Sequence, residues 1–257
     1  MLSPTDRLKS SGEWSRVSHH RRLIAQMQEL RGRVYLKDEA IQAWQLQDGR
    51  HQMHADLDSW HVLVQGPSGE IRGCVHARLH HPTAEFSKFA LSRSAIAQDP
   101  ATRSAVAGAL KSELELARTL QIPILEVGGL ALDESLRGSS AILQMVFAVY
   151  GLARTLGGAI GVSTVTRRHQ ASCVLRKLGG QSLSHDGADI PPYFDDQYRC
   201  EMEVLKFYSW EHGLRHENRF SALQEQFSEE IPAALLNQWK SNQTHHARSG
   251  YPSVLTH

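Results

Sequence analysis

The sequence predicts an α/β domain built on a mixed central β-sheet flanked by helices. Three observations carry this. Two alternating strands joined by a tight turn lie in the first half. Strand and helix then alternate between residues 123 and 180. A last strand of period-2 alternation occupies residues 200–208.

The elements follow in order. From Ser18 onward Leu23, Ile24, Met27, Leu30 and Val34 recur at helical spacing. A mixed segment holds Tyr35, Ile41, Trp44 and Leu46 and closes on the turn signal Asp48-Gly49. Residues 60–64 (WHVLV) read as a strand, Pro67-Ser68-Gly69 as its turn, and residues 71–79 (IRGCVHARL) as the returning strand. Residues 80–100 look irregular. Asp99-Pro100 opens a helix to about Leu120, with Val106, Leu110, Leu114 and Ala117 on one face. Residues 123–132 (PILEVGGLAL) read as a buried strand. Residues 139–156 read as an apolar helix closed by Gly157-Gly158. Residues 159–165 form a strand, residues 169–178 a helix stopped by Gly179-Gly180, and Pro191-Pro192 breaks the chain before the last strand. No internal repeat is visible. The chain thus divides into a polar segment (1–17), one domain (18–210) and an extension (211–257). The extension has a helical pattern over 214–239 and a polar tail after it.

Composition narrows the function. Of 257 residues 41% are hydrophobic and 21% charged, enough for a sizeable core. A net charge of +1, with no aromatics interleaved among the basic residues, argues against nucleic-acid binding. Three distant cysteines, 74, 173 and 200, argue against a disulfide framework or thiolate zinc site. Fifteen histidines are present, yet neither His51/His54 with Asp56/Asp58 nor His76/His80/His81 has metal-site spacing, so no metal is expected. No GxSxG elbow exists for a serine nucleophile. The first residues lack an apolar h-region and no run is long enough to span a bilayer, so the expected compartment is the cytoplasm.

The informative stretch is 123–180. A buried strand runs into Ser135-Leu-Arg-Gly138-Ser-Ser140 at the head of a long helix. A glycine there permits close backbone approach to a ligand, and a helix N-terminus favours phosphate through its free N–H groups and dipole. Alone, the same residues read equally as a plain serine N-cap.

The order of motifs resembles the GNAT superfamily of N-acyltransferases. Its phosphate loop, Arg/Gln-x-x-Gly-x-Gly/Ala, has a degenerate counterpart in 135–140. Its later Asn-x-x-Ala has a counterpart in His169-Gln-Ala171-Ser, after the GVSTV strand and before KLGG. The first half resembles one branch more narrowly: the acyl-homoserine-lactone (autoinducer) synthases and the long-chain N-acyl amino acid synthases. Their marks are matched by Leu30-Arg31, Val34-Tyr35, Trp44, the stretch 48–58, WHVLV, Gly73-Cys74, Arg78-Leu79 and Glu126-Val-Gly-Gly129-Leu-Ala-Leu. The acidic stretch is one residue short and has lost carboxylates to His51, His54 and Ala55, and Gly129 stands where that branch has Arg. These departures weigh against homoserine lactone and toward another amine, such as an amino acid.

The resemblance implies a GNAT fold and direct attack of a small amine on a phosphopantetheine thioester. The acyl group would be long, the donor acyl-CoA or an acyl carrier protein, and no cofactor would be tightly bound. Glu126 becomes the general base, its pKa expected to rise by desolvation, and the N–H groups of Gly129, Leu130 and neighbours the oxyanion donors. Leu132, Arg137, Gly138, Ser139, Ser140, Arg167 and His169 are assigned to the donor, and Arg31, Trp44, Asp56, Asp58 and Arg78 to the acceptor. Arg137, Arg154, Arg167, Arg168, Arg176 and Lys177 are a candidate docking patch for the acidic carrier protein. Two other readings stay open: an acetyl-CoA-dependent GNAT enzyme, and a non-catalytic GNAT-like binding protein.

Overall fold

In the computed structural model the described residues are 1–4 and 14–211; the helical pattern expected over 214–239 lies outside them. The elements are α1 (Trp14–Lys37), β1 (Ser59–Gln65), β2 (Ile71–His80), α2 (Ala95–Gln98), α3 (Arg103–Leu120), β3 (Ile124–Leu132), α4 (Ala141–Thr155), β4 (Ile160–Thr166), α5 (Ala171–Lys177), the short strands β5 (Gln181–Ser182), β6 (Ser184–His185), β7 (Ala188–Asp189) and β8 (Tyr193–Asp195), and β9 (Cys200–Tyr208). The main sheet runs β1-β2-β3-β4-β9-β5, with β8 also on β9. Every pairing in it is antiparallel except β3 with β4.

That one parallel pairing sets the shape. It holds only Ile124↔Ile160, Leu125↔Gly161 and Glu126↔Val162. Beyond Glu126 each strand follows its outer neighbour. β4 stays paired to β9 as far as Thr166↔Met202, and β3 stays on β2 as far as Gly73↔Leu132. The sheet therefore opens into a wedge between β3 and β4.

Side chains alternate across the sheet, and each face takes its own helices. Met27 and Leu30 of α1 pack with Ile71, Cys74 and Ala131. On the same face Val106, Leu110 and Leu114 of α3 pack with Ile124, Ile160, Val162 and Val204. On the opposite face Ala148, Leu152 and Leu156 from α4 and its end cover Trp60, Ala77 and Leu125. Phe147 and Tyr150 there meet Val165, Leu205 and Phe207. Trp60 is thus a core residue, 2% exposed, whereas Trp44 is 81% exposed on a 3-10 turn and walls no pocket.

A buried ion pair fixes α1 to the segment before β1. Arg31 is completely buried; its Nη2 donates to Asp56 Oδ2 at 2.6 Å and to the His51 carbonyl at 2.6 Å. Asp56 Oδ2 also accepts from Gln28 Nε2 and the Met53 N–H, both at 2.9 Å. Burial pushes the Asp56 carboxyl up, but the Arg31 hydrogen bond and charge, with the other donors, outweigh it and hold it below the usual carboxylate range. Removing one partner of such a pair strands the other charge in a low dielectric. Asp56→Ala is therefore expected to lower stability by ~3–5 kcal/mol in urea denaturation, and Arg31→Met/Asp56→Leu to recover most of that loss. A double mutant no more stable than the single would show that the pair itself, not the orphaned charge, carries the stability.

Candidate active site

The wedge opens into a continuous cavity of about 710 Å³ that reaches both faces of the sheet. On the α4 face its wall is apolar: Ile142, Leu143, Val146 and Val149 of α4, then Ala153, Ala159 and Phe207 at the deep end. Ile142 to Ala153 span about 16 Å of helix at ~1.5 Å per residue. The deep end is closed by buried residues, where the Ala159 N–H donates to Ser209 Oγ at 2.9 Å. On the α1 face the wall carries the polar side chains Tyr35, His76, Glu126 and Tyr198 among apolar ones such as Val34, Met53, Leu91 and Met202.

Glu126 sits at the vertex, the last β3 residue paired to β4. Its carboxylate is 7% exposed and engaged on both oxygens. His80 Nε2 lies 3.1 Å from Oε2, and the Leu91 N–H donates to Oε1 at 3.2 Å. The His80 ring is stacked on Phe89 at 3.9 Å between centroids, which fixes its plane. His80 closes β2 and Leu91 belongs to the stretch that reads as irregular. The histidine's pairing with Glu126 thus depends on a strand register that spacing alone does not show.

Beyond Glu126, β3 carries a bulge. Cys74 pairs with Ala131 and His76 with Gly128, so Val75 faces both Gly129 and Leu130. Gly129 has φ +64°, which a glycine adopts without strain. The Tyr35 hydroxyl donates to the Leu130 carbonyl at 3.1 Å, and the Cys74 thiol to the Gly129 carbonyl at 3.4 Å. Both carbonyls of the bulge are therefore occupied from the α1 face.

The cavity mouth lies between the end of α1, the loop before α4 and the start of α5. Arg137 Nη2 donates to both carboxylate oxygens of Asp38, at 2.6 and 2.9 Å. His169 Nε2 is 3.7 Å from Asp38 Oδ1. Arg168 reaches the carbonyls of Asp38 and Arg199. Gly138 takes φ +77°. Ser139 Oγ accepts from the Ala141 N–H at 3.2 Å, while the N-cap residue, Ser140, makes no side-chain capping bond. His169 and Gln170 have φ of 50° and 57°. Two consecutive non-glycine residues in this region cost of order 1–3 kcal/mol each, and such strain clusters at functional sites.

Of the residues assigned from sequence, Glu126, Gly129, Leu130, Leu132, Arg137, Gly138, Ser139 and His169 line the cavity. Ser140 and Arg167 do not; Arg167 pairs with Glu201 at 3.1 Å. None of the five acceptor assignments lines it either. Arg31 and Asp56 are core, Trp44 is exposed, and Arg78 pairs with Asp58 at 3.1 Å outside it. The polar wall comes instead from Tyr35, His76 and Tyr198. Tyr35 is named only in the Val34-Tyr35 pair of the resemblance, while a lone strand histidine and a loop tyrosine carry no spacing signal. Within the expected docking patch Arg137, Arg167 and Arg176 are each paired with a carboxylate. Among the described residues no cluster of three or more His, Cys, Asp or Glu is placed to hold a metal. No helix there is long and apolar enough to cross a membrane.

Five histidines of the described residues are buried: His20, His51, His61, His76 and His80. Burial above all lowers His20 and His51 to about 4 and His76 to about 3, and lowers His61 as well. Each ring so lowered is neutral in the folded protein at neutral pH but takes a proton near pH 6.5 when unfolded. The unfolded state therefore binds more protons as pH falls below about 6.5. The stabilisation is complete above that pH and erodes toward pH 4 by ~1.4 kcal/mol per pH unit for each histidine. Denaturation midpoints should fall steeply between pH 6.5 and 4.5, and His51→Gln should flatten the slope. A flat profile would show that these rings are protonated in the native state.

No protein-family profile matches the chain, and no curated protein matches it in sequence. Solved structures do match in fold. The CoA-dependent acyl-homoserine lactone synthase BjaI, with SAM and isopentyl-CoA, superposes with a TM-score of 0.52 at 14% identity, covering 81% of this chain and 83% of that one. The same synthase with MTA gives 0.51 at 13% identity over 79% and 81%. FeeM, an N-acyl amino acid synthase from uncultured soil microbes, gives 0.46 at 12% identity over 72% and 90%. The chain has the GNAT fold.

Proposed function

We propose that the protein is an N-acyltransferase that moves a long acyl chain from a phosphopantetheine thioester, on CoA or an acyl carrier protein, to the amine of a small molecule such as an amino acid. The observation that carries this reading is the two-sided wedge. An apolar, closed channel lies on one face of the sheet, a polar chamber on the other, and a buried carboxylate stands at the vertex between them. BjaI, of like fold, is described with isopentyl-CoA and SAM, a CoA derivative and an amine-bearing molecule.

The physical fit is specific. The pantetheine arm is extended and carries two amides, so it can use backbone groups that β3 and β4 no longer offer each other. The mouth, with Gly138, the start of α4, Arg137 and Arg168, suits its phosphate. The thioester carbonyl then reaches the bulge at Gly129, where N–H groups of β3 are natural oxyanion donors. The acyl chain follows the apolar wall of α4. An acetyl group would leave that channel empty, so its length favours a long chain over acetyl transfer. The amine enters from the polar side and loses a proton to Glu126, directly or through water, with His80 beside it to pass the proton on. Attack forms the C–N bond, and collapse expels the thiolate.

Lipid extracts of cells overproducing the protein, read by mass spectrometry, should contain new N-acylated amines. With Glu126→Gln their yield should fall by about 100-fold or more. Equal yields from both proteins would remove Glu126 from the mechanism, and no new species with carrier-protein and CoA donors both present would overturn the acyltransferase reading.

A further inference from the structure

His76 stands on β2 opposite Gly128, on the polar side of the wedge. Its ring fills the space that two side chains would take. A Cβ on Gly129 would lie 2.6 Å from Nδ1, and one on Gly128 would lie 3.1 Å from Nε2. Residues 128 and 129 are thus glycines where the imidazole lies against β3, at the point where the bulge begins. The residue is 4% exposed, and Nδ1 is buried with no hydrogen-bond partner. Arg31 Nη1, likewise buried and unpartnered, lies 3.0 Å from the same Gly129 position. A guanidinium only donates. The tautomer compatible with a guanidinium on that side keeps the lone pair on Nδ1 and the proton on Nε2, the nitrogen beside Gly128.

The groups facing the ring come from every neighbouring element. They are His61 on β1, 6.2 Å away between centroids, Arg31 on α1, Asp56 before β1, and Arg78 on β2 itself. Burial first, then His61 and Arg31, hold the ring neutral. Glu126 has both oxygens engaged elsewhere, whereas His76 presents a donor with nothing yet to bind.

On the acyltransferase reading above, we propose that His76 is a catalytic hydrogen-bond donor whose Nε2–H stabilises the oxyanion formed on the thioester carbonyl. As the amine nitrogen forms its bond to the carbonyl carbon, the π electrons move onto oxygen. The charge is shared between the Nε2–H and the N–H groups of the bulge. Collapse restores the carbonyl and breaks the C–S bond, the thiolate leaving with its electron pair. The amine proton goes to Glu126. His76 neither gains nor loses a proton, so it acts equally well at any pH at which it stays neutral.

The test uses the whole protein with decanoyl-CoA and decanoyl-carrier protein as donors and a mixture of amino acids as acceptors. No transfer by the wild type from either donor would defeat the acyltransferase reading itself, before any variant is compared. Given wild-type transfer, His76→Leu should lower kcat by about 100-fold, with donor KM within about threefold and native circular dichroism. His76→Gln, which keeps an N–H donor, should recover at least a tenth of the wild-type kcat. Both variants should keep the shape of the wild-type pH–rate profile. An unchanged kcat in a folded His76→Leu protein would overturn the proposal. So would loss of one limb of the pH profile, because the ring would then be moving a proton, and so would a folded His76→Gln protein no faster than His76→Leu.

Discussion

The structure depends on a sheet that is deliberately incomplete. β3 and β4 exchange three residue pairs and then part. Parallel neighbours usually run on together, because each unpaired N–H and C=O in a buried place costs free energy. Here each strand is held more strongly by its outer partner than by the other. The bulge at Gly129-Leu130 turns β3 with β2, and the seven-pair ladder to β9 carries β4 the other way. Helix α4 cannot fill the opening, because its inward side chains already pack on Trp60, Ala77 and Leu125 or on Val165 and Phe207. What remains is a slot with backbone on both sides, matched to an extended ligand that carries amides of its own.

A slot of this kind must be braced, and α1 does it. The Arg31–Asp56 pair locks the helix to the segment before β1, and Tyr35 reaches from the next turn to the Leu130 carbonyl. Further along α1, Arg33 pairs with Asp133 and Lys37 with Glu134, and beyond the helix Asp38 pairs with Arg137. The exposed pairs add little energy. Their effect is positional, since they hold the loop ahead of α4 against the end of α1. The same brace adds to the electrostatics: burial above all, and the Arg31 charge with it, disfavours protonation of His51, His61 and His76.

Much of this was legible in the sequence, where periodicity is strong. The last strand runs over Cys200–Tyr208 as its alternation predicts, and β3, α4 and β4 each fall within two residues of the expected bounds. Residues 80–100 resolve into 3-10 turns and the four-residue α2, too short for any period to show. The strands β5 to β8, two or three residues each, were missed for the same reason. The five residues assigned to the acceptor lie outside the cavity for a different reason. Arg31 on α1, Asp56 on a 3-10 turn and Arg78 on β2 are polar residues in the right order along the chain, but order does not say which way each faces. Arg31 turns into the core beneath β3, and Asp56 follows it because a buried guanidinium requires a counter-charge. Trp44 lies on a 3-10 turn that presents it to solvent.

The division of the wedge into an apolar and a polar side decides what chemistry it can hold. A long acyl chain and a charged amine have opposite solvation needs and cannot share one chamber without a large penalty. The sheet separates them by the alternation of its own side chains: Leu125 and Val127 face α4, while Glu126 and His76 face the other way. Only at the gap between β3 and β4 do the two environments meet. The carbonyl of a thioester is the group suited to that boundary, apolar on its acyl side and developing charge on oxygen during attack. On the proposed reaction, the bulge, two glycines and imidazole at this boundary would offer donors to that charge without a fixed charge in the path of the chain. The strand pairing that ends at Glu126 thus does two things at once: it opens the slot, and it leaves the carboxylate at the vertex of the opening, on its polar side.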